Sequence, residues 1–284
     1  MSQFGEMVNV TPNEAHTEDK CPFCPLEKNK MDKISYIGKD NKSKILGDNL
    51  NTAGDTKESH LYFDVEYNIY RRYSAEAHHL ICGNEVLKEE GEVEKYLIED
   101  SKSTSKGGNG FLQPNDVGYN VNAAENGICL PSVPDMFRKT NQEPYRWWGD
   151  QKDWNRKNPT KPQRISLDEW EKCDAAFIVM EVVKRQFHKG SHGNVGEPDD
   201  NYVEMAIGKL RQVTFLLNHF AVKCPMEEDG TTKTKPPFYP PYRIIRVLNE
   251  LSKDLKEELE GHPDSWNYFI SDYARQCSNW WKLR

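Results

Sequence analysis

Four of the chain's eight histidines fall in two close pairs. His78 and His79 are adjacent in Ala77-His78-His79-Leu80-Ile81, and His188 and His192 stand four residues apart in His188-Lys189-Gly190-Ser191-His192. Imidazole suits two tasks. A neutral ring nitrogen ligates divalent metals, and a pKa near 6.5 lets it take a proton from water around neutral pH. Adjacent residues of a strand face opposite sides, so a strand would give His78 and His79 different work. A strand end or bulge would instead turn both into one cleft, one as ligand and one as base. On a helix the spacing of His188 and His192 would align both rings on one face. Gly190 and Ser191 complicate that helix; Ser191 as a cap would leave His188 just outside it. Either geometry converges two imidazoles on one ion. Between the pairs lies Asn126-Gly127-Ile128-Cys129-Leu130-Pro131, in which Asn-Gly is the strongest two-residue hairpin-turn signal and leads into a short apolar run.

Each piece alone is ordinary, but their order is specific. The Ala-His-His-Leu-Ile stretch, Asn126-Gly127-Ile128 with Leu130-Pro131, and the His188–His192 element together resemble the AHH group of the HNH/endonuclease VII nucleases, the ββα-metal or His-Me finger superfamily. The resemblance covers roughly residues 75–210. It implies His78 as a metal ligand, His79 as the general base that activates water, His188 and His192 as the rest of the metal site, and Asn126 as the residue that holds the finger loop and orients the base. Zn²⁺ suits imidazole ligands, and Mg²⁺, Mn²⁺ or Ni²⁺ would also serve. Acceptors must fix the histidine tautomers; Glu76, Asp116 and Glu125 stand near in sequence. One departure is the length of 132–187, long for an insertion into a ββα unit.

The wider context resembles bacterial polymorphic-toxin and type VI secretion effector nucleases, some of which begin with a segment like Cys21-Pro22-Phe23-Cys24. It implies a DNA substrate cut without strong sequence specificity, antibacterial action and a cognate immunity protein. It also implies a secretion-apparatus or adaptor partner, synthesis in a bacterial cytoplasm, and contact-dependent delivery into the target-cell cytoplasm. Two alternatives stand beside it: an RNase of the same finger, and a zinc-stabilised binding module without catalysis.

Cys21 and Cys24 supply half of a tetrahedral zinc site, which Cys224 with His219 or Cys277 would complete. A disulfide or a pair of thiols is the alternative. A redox dithiol would follow a buried strand, and VTPNEAHTEDK is no such strand. Seven cysteines, an odd number thinly spread, argue for a reduced compartment rather than a disulfide framework.

These residues need a scaffold. The 284-residue chain carries net charge −7, which excludes a globally basic nucleic-acid coat but not a local patch. Hydrophobic residues make up 36% and mean hydropathy is −0.86, so long loops are expected. Seven Trp, thirteen Tyr and eleven Phe supply a core in bulk instead. No run approaches 18 apolar residues, so no membrane span is expected; Met1-Ser2-Gln3-Phe4-Gly5-Glu6 lacks the basic and apolar regions of a signal peptide.

Along the chain, 1–60 reads as an irregular, turn-rich segment, and 61–284 as the nuclease-like domain. LYFDVEYNIYRRY (61–73) is a strand or the start of a helix. Residues 85–100, with seven acids and two lysines, read as an exposed helix, and 101–110 as a flexible loop. An inserted segment (132–165) contains 138–165, which holds eight Lys/Arg against three acids. There Arg138, Lys139, Arg146, Lys152, Arg156, Lys157 and Lys161 could contact phosphates, with Tyr145, Trp147, Trp148 and Trp154 between them. Equally, the tryptophans are core and the charges a solvated face. Ser166-x-x-Glu169 is a capping box before Trp170, Cys173, Phe177, Met180 and Phe187 at helical spacing. Two more helices are expected near 199–222 and 242–260, the latter stopped by Gly261 and Pro263, and a fourth in the aromatic C-terminal segment. The fold class is α+β, predominantly helical around a small ββα-metal element.

Overall fold

The computed structural model describes residues 21–22, 42–55, 61–64, 69–87, 93, 119–138, 146–147, 156, 165–166, 169–188, 201–223 and 244–282. It is an α+β chain, mostly helical with a small sheet. The helices are α1 (Ser43–Thr52), α2 (Glu169–Val183), α3 (Tyr202–Lys223), α4 (Ile244–Leu259) and α5 (Asp272–Lys282); the strands are β1 (Leu61–Asp64), β2 (Ile69–His79), β3 (Gly127–Arg138), β4 (Arg146–Trp147) and β5 (Ile165–Ser166). Two compact units interleave along the chain: Met1–Leu46, His79–Gly127 and Val203–Lys256 form the first, and Gly47–His78, Ile128–Tyr202 and Glu257–Arg284 the second.

In the first unit, α3 and α4 carry the apolar rows that the sequence predicts. Ala206, Leu210, Val213, Leu217 and Phe220 are buried on α3, and Ile244, Leu248, Leu251 and Leu255 on α4. Lys209 Nζ reaches Asp254 Oδ2 at 3.4 Å, an ion pair between the two helices. Residues 83–87 form one wide helical turn with Val86 and Leu87 buried, and Val93 is buried too. Asn84 is exposed on this turn and Glu85 half-buried; most of 85–100, expected as an exposed helix, lies outside the described residues.

In the second unit, the sheet runs in the order β1-β2-β3-β4-β5. β1 and β2 are antiparallel, with Leu61 opposite Arg72 and Asp64 opposite Ile69, so the 61–73 run is two strands. β3 pairs with β4 antiparallel, and β4 with β5 parallel. Ser166 is thus a sheet residue opposite Trp147; residues 167–168 of the expected capping box lie outside the described residues. α2 packs on α5, burying Cys173, Ala176, Phe177 and Met180 from one helix and Ala274 and Cys277 from the other. The Ser271 side chain caps α5, its Oγ accepting from Ala274 N–H at 3.2 Å.

The segment expected to be irregular contains α1. It ends where Gly54 takes φ +91°, so that Gly54 N–H reaches Asn51 O at 3.1 Å and Asp55 N–H reaches Leu50 O at 2.9 Å. That pair of bonds is a Schellman stop, which needs a residue able to adopt positive φ. It delivers Asp55 to β3 and to the chain that follows α2. Among the described residues, no helix is long and apolar enough to cross a membrane.

Candidate functional site

The second unit brings His78 and His188 together. α2 stops at Lys184, a non-glycine residue at φ 58°, and the chain turns out of the helix there. The next four residues are each tied to a different neighbour. The Arg185 guanidinium pairs with Asp55 Oδ1 at 2.7 Å and Glu260 Oε1 at 2.9 Å, and donates to Cys129 O at 2.9 Å. Burial lowers its affinity for the proton, but the two carboxylates outweigh burial and the net shift is upward. Gln186 is fully buried. Its amide donates to Glu258 O and Tyr268 O, and its oxygen accepts from Ile270 N–H. Phe187 O accepts from Ser271 Oγ at 2.8 Å. His188 N–H donates to Pro131 O at 2.6 Å. A segment tied by bonds at four successive residues is held in one place.

That place is beside the end of β2. The rings of His78 and His188 lie 5.1 Å apart, centroid to centroid, tilted at 54°. Tyr202 meets His78 edge-on at 5.8 Å. Glu76, two residues earlier on β2, sets Oε2 3.3 Å from His188 Nδ1.

In the first unit, Asn122 stands against His79. His79 Nε2 and the Lys42 amide both lie within bonding distance of Asn122 Oδ1, at 2.9 and 2.8 Å. The Lys42 amide can only donate, so the Asn122 atom facing it is the oxygen. The His79 nitrogen on the same oxygen is therefore the protonated one, leaving the lone pair on Nδ1. Burial pulls the His79 pKa below its usual 6.5, and the Asn122 hydrogen bond opposes that pull without cancelling it. His79 is 5% exposed.

Asn126 sits at the end of a short 3₁₀ turn (Ala124–Asn126) and is fully buried. Its Nδ2 donates to Ile81 O at 3.0 Å and Val121 O at 2.9 Å; its Oδ1 accepts from Ile81 N–H at 2.8 Å and Ser252 Oγ at 3.0 Å. Its own carbonyl accepts from Leu80 N–H at 2.9 Å. Asn126 therefore holds the chain at Leu80 and Ile81, while Asn122 is the residue on the His79 ring. The expected Asn-Gly hairpin turn is absent at this point: Gly127 is extended, φ −142° and ψ 161°, and begins β3.

No family profile, curated protein or solved structure matches the chain. The fit to a metal thus rests on the donor set itself. Two imidazoles on one tetrahedral zinc, with Zn–N of about 2.0–2.1 Å, place their ring centroids about 5 Å apart. The His78–His188 spacing matches that, and Glu76 faces the other nitrogen of His188 as carboxylates commonly do in metal sites. Among the described residues, no group of three or more His, Cys, Asp or Glu is arranged to hold a metal. His192, the third expected ligand, lies outside the described residues, as does Asp116. His188 follows a turn in extended chain, so the aligned-helix geometry for the second pair does not apply at its first member.

Of the expected zinc-knuckle residues, Cys21 is buried and Cys24 and Cys224 lie outside the described residues. His219 is on α3, stacked on Phe215 at 6.2 Å and edge-on to Phe220 at 5.0 Å. In the basic stretch, Arg138 ends β3 and Arg146 opens β4, pairing partner of Met136; Arg156 is exposed. Lys139, Lys152, Lys157 and Lys161 lie outside the described residues. Sequence reasoning missed Asn122 and the Arg185–Gln186 clamp. Asn122 had one local signal: Asn120 Oδ1 accepts from Asn122 N–H at 3.0 Å, the side-chain turn that an Asn-x-Asn spacing favours.

Proposed function

We propose that this chain is a metal-dependent endonuclease, of the AHH, His-Me finger kind that its motifs resemble, hydrolysing DNA phosphodiesters without strong sequence preference. The observation that carries the reading is the meeting of motif pieces far apart in sequence. His78 lies 5.1 Å from His188, and His188 N–H bonds the carbonyl of Pro131, so 132–187 does not separate them in space.

In this reading His79 is the general base. Its depressed pKa keeps the ring neutral near pH 7, and Asn122 on Nε2 leaves Nδ1 to accept. Nδ1 takes a proton from water as the water oxygen attacks phosphorus. The P–O3′ bond breaks, the departing 3′-oxygen collects a proton from solvent, and the products are a 5′-phosphate and a 3′-hydroxyl. His78 and His188 would hold the divalent ion, with His192 as a third ligand; when bound, the ion supplies positive charge against the phosphorane-like transition state and the leaving oxygen. Asn126 holds the backbone immediately after the base. The basic stretch 138–165 would contact phosphates, and an acidic immunity protein would cover it.

Plasmid nicking tests the reading. Wild type with Mg²⁺, Mn²⁺, Zn²⁺ or Ni²⁺ is expected to cut, while EDTA-treated protein and His79→Ala do not; full cutting by either would sink it. Structured RNA digested alongside separates DNase from RNase. The burial of His79 favours a second reading, a metal-stabilised binding module whose histidines are structural. That reading predicts a metal-containing protein with no cutting under any ion.

A further inference from the structure

Glu76 and His188 come from distant parts of the sequence, yet their side chains meet within the second unit. The contact is 3.3 Å from Glu76 Oε2 to His188 Nδ1. A carboxylate can only accept, so the proton at this contact belongs to Nδ1. That is the less populated tautomer of a free neutral histidine side chain, so the protein must impose it. The His188 backbone is fixed independently: its N–H is bonded to Pro131 O, and Arg185, Gln186 and Phe187 before it are each anchored. Glu76 meets the ring at Nδ1 and so acts on its rotation. With the proton on Nδ1, the lone pair is on Nε2, the form a ligating histidine needs.

We infer that Glu76 is a positioning residue, which fixes His188 with its proton on Nδ1 and so presents Nε2 to a divalent cation beside His78. The inference rests on the metal-site reading above but adds a property of the metal-free protein. Glu76 is 60% exposed and His188 only 13%, so removing Glu76 frees the ring without emptying the interior. Because the carboxylate reaches into solvent, its effect on metal affinity belongs at the low end of the ten- to hundredfold range for such outer carboxylates, about tenfold.

The test uses the full chain and three proteins: wild type, Glu76→Ala and Glu76→Gln. In metal-free wild type at pH 8.5, long-range ¹H–¹⁵N spectra are expected to show His188 protonated at Nδ1. Glu76→Ala should move the proton toward Nε2, and Glu76→Gln, which keeps an acceptor oxygen, should retain Nδ1–H. Titration with Co²⁺ alone, followed by its visible bands, should show about tenfold weaker binding by Glu76→Ala and a smaller loss for Glu76→Gln. Nε2–H in wild type overturns the inference, and so does equal Co²⁺ affinity in wild type and Glu76→Ala. Failure of the underlying reading looks different: wild type would bind no Co²⁺, or would bind it equally well after His78→Ala.

Discussion

Replacing Asn126 by aspartate exchanges an NH₂ group, two donors, for an oxygen that only accepts, and changes almost nothing in shape. The Asn126 side chain faces two donors, Ile81 N–H and Ser252 Oγ, and two acceptors, Ile81 O and Val121 O. Aspartate keeps the first pair satisfied and turns an anionic oxygen on two carbonyls. With no solvent contact at this position, the folded protein must hold the new carboxyl protonated, so its folded-state pKa rises above the unfolded value of about 3.9. Keeping it neutral at pH 7 costs at most about 4 kcal/mol, three pKa units at about 1.4 each. One of the two carbonyls still loses its donor, which adds about 1 kcal/mol. The sign follows from the raised pKa: the folded state binds the proton more tightly, so the penalty is smallest below about pH 4 and grows as pH rises. Asn126→Ala is the control. It strands the same four partners without adding a titratable group, and should cost about 3–5 kcal/mol with no comparable pH trend. Urea unfolding followed by tryptophan fluorescence from pH 4.5 to 8, read as the difference between the two variants, cancels the background titration of the chain. Asn126→Asp should be the less stable at pH 8 and gain on Asn126→Ala as pH falls. An Asn126→Asp protein as stable as wild type at pH 7, or one whose deficit ignores pH, would mean that Nδ2 does not face those carbonyls.

What the sequence revealed of this scaffold depended on how local the cause was. α3 and α4 were legible because their buried residues recur at helical spacing within one segment. α1 was not: SKILGDNLNT offers only Leu46 and Leu50 as a buried pair, with Gly47, Asn49 and Asn51 weakening helix propensity. The 61–73 run stayed ambiguous because strand identity there is decided by a partner strand, Leu61 against Arg72, and not by periodicity. The same logic divides the site. His78, His79 and His188 announce themselves by residue type and spacing. Asn122 does not, since its ties to Lys42 and His79 span 80 and 43 residues and any of several asparagines would have matched. The clamp at 185–188 is equally non-local.

If Asn122 acts through His79, Asn122→Ala should slow cutting about tenfold to a hundredfold with little change in KM, and should do nothing further in a His79→Ala background; an additive loss in the double variant would place Asn122 in a separate role. Burial pushes the Tyr119 phenol up. The folded state therefore holds that proton more tightly, its stabilising effect is full below about pH 10 and declines above it, and Tyr119→Phe should lose less of its urea midpoint than wild type between pH 8 and 11. Arg185 Nη1 is shared between Asp55 and Cys129 O, and its side chain is 21% exposed against 15% for Asp55 and 35% for Glu260. Removing one partner of a fully buried pair costs about 3–5 kcal/mol; solvent at Arg185 and Glu260 reduces that to about 2 for Arg185→Met. Asp55→Asn should cost about 1–2, since it keeps an oxygen for the guanidinium but loses the charge. If the energy lies in the pair, the double variant should be less damaged than the sum of the singles by about 1 kcal/mol, because the second change relieves the carboxylate stranded by the first. Penalties that simply add would show that Arg185 stabilises the chain after α2 through Glu260 and Cys129 O without Asp55, and that Asp55 at the end of α1 takes no part in fixing His188.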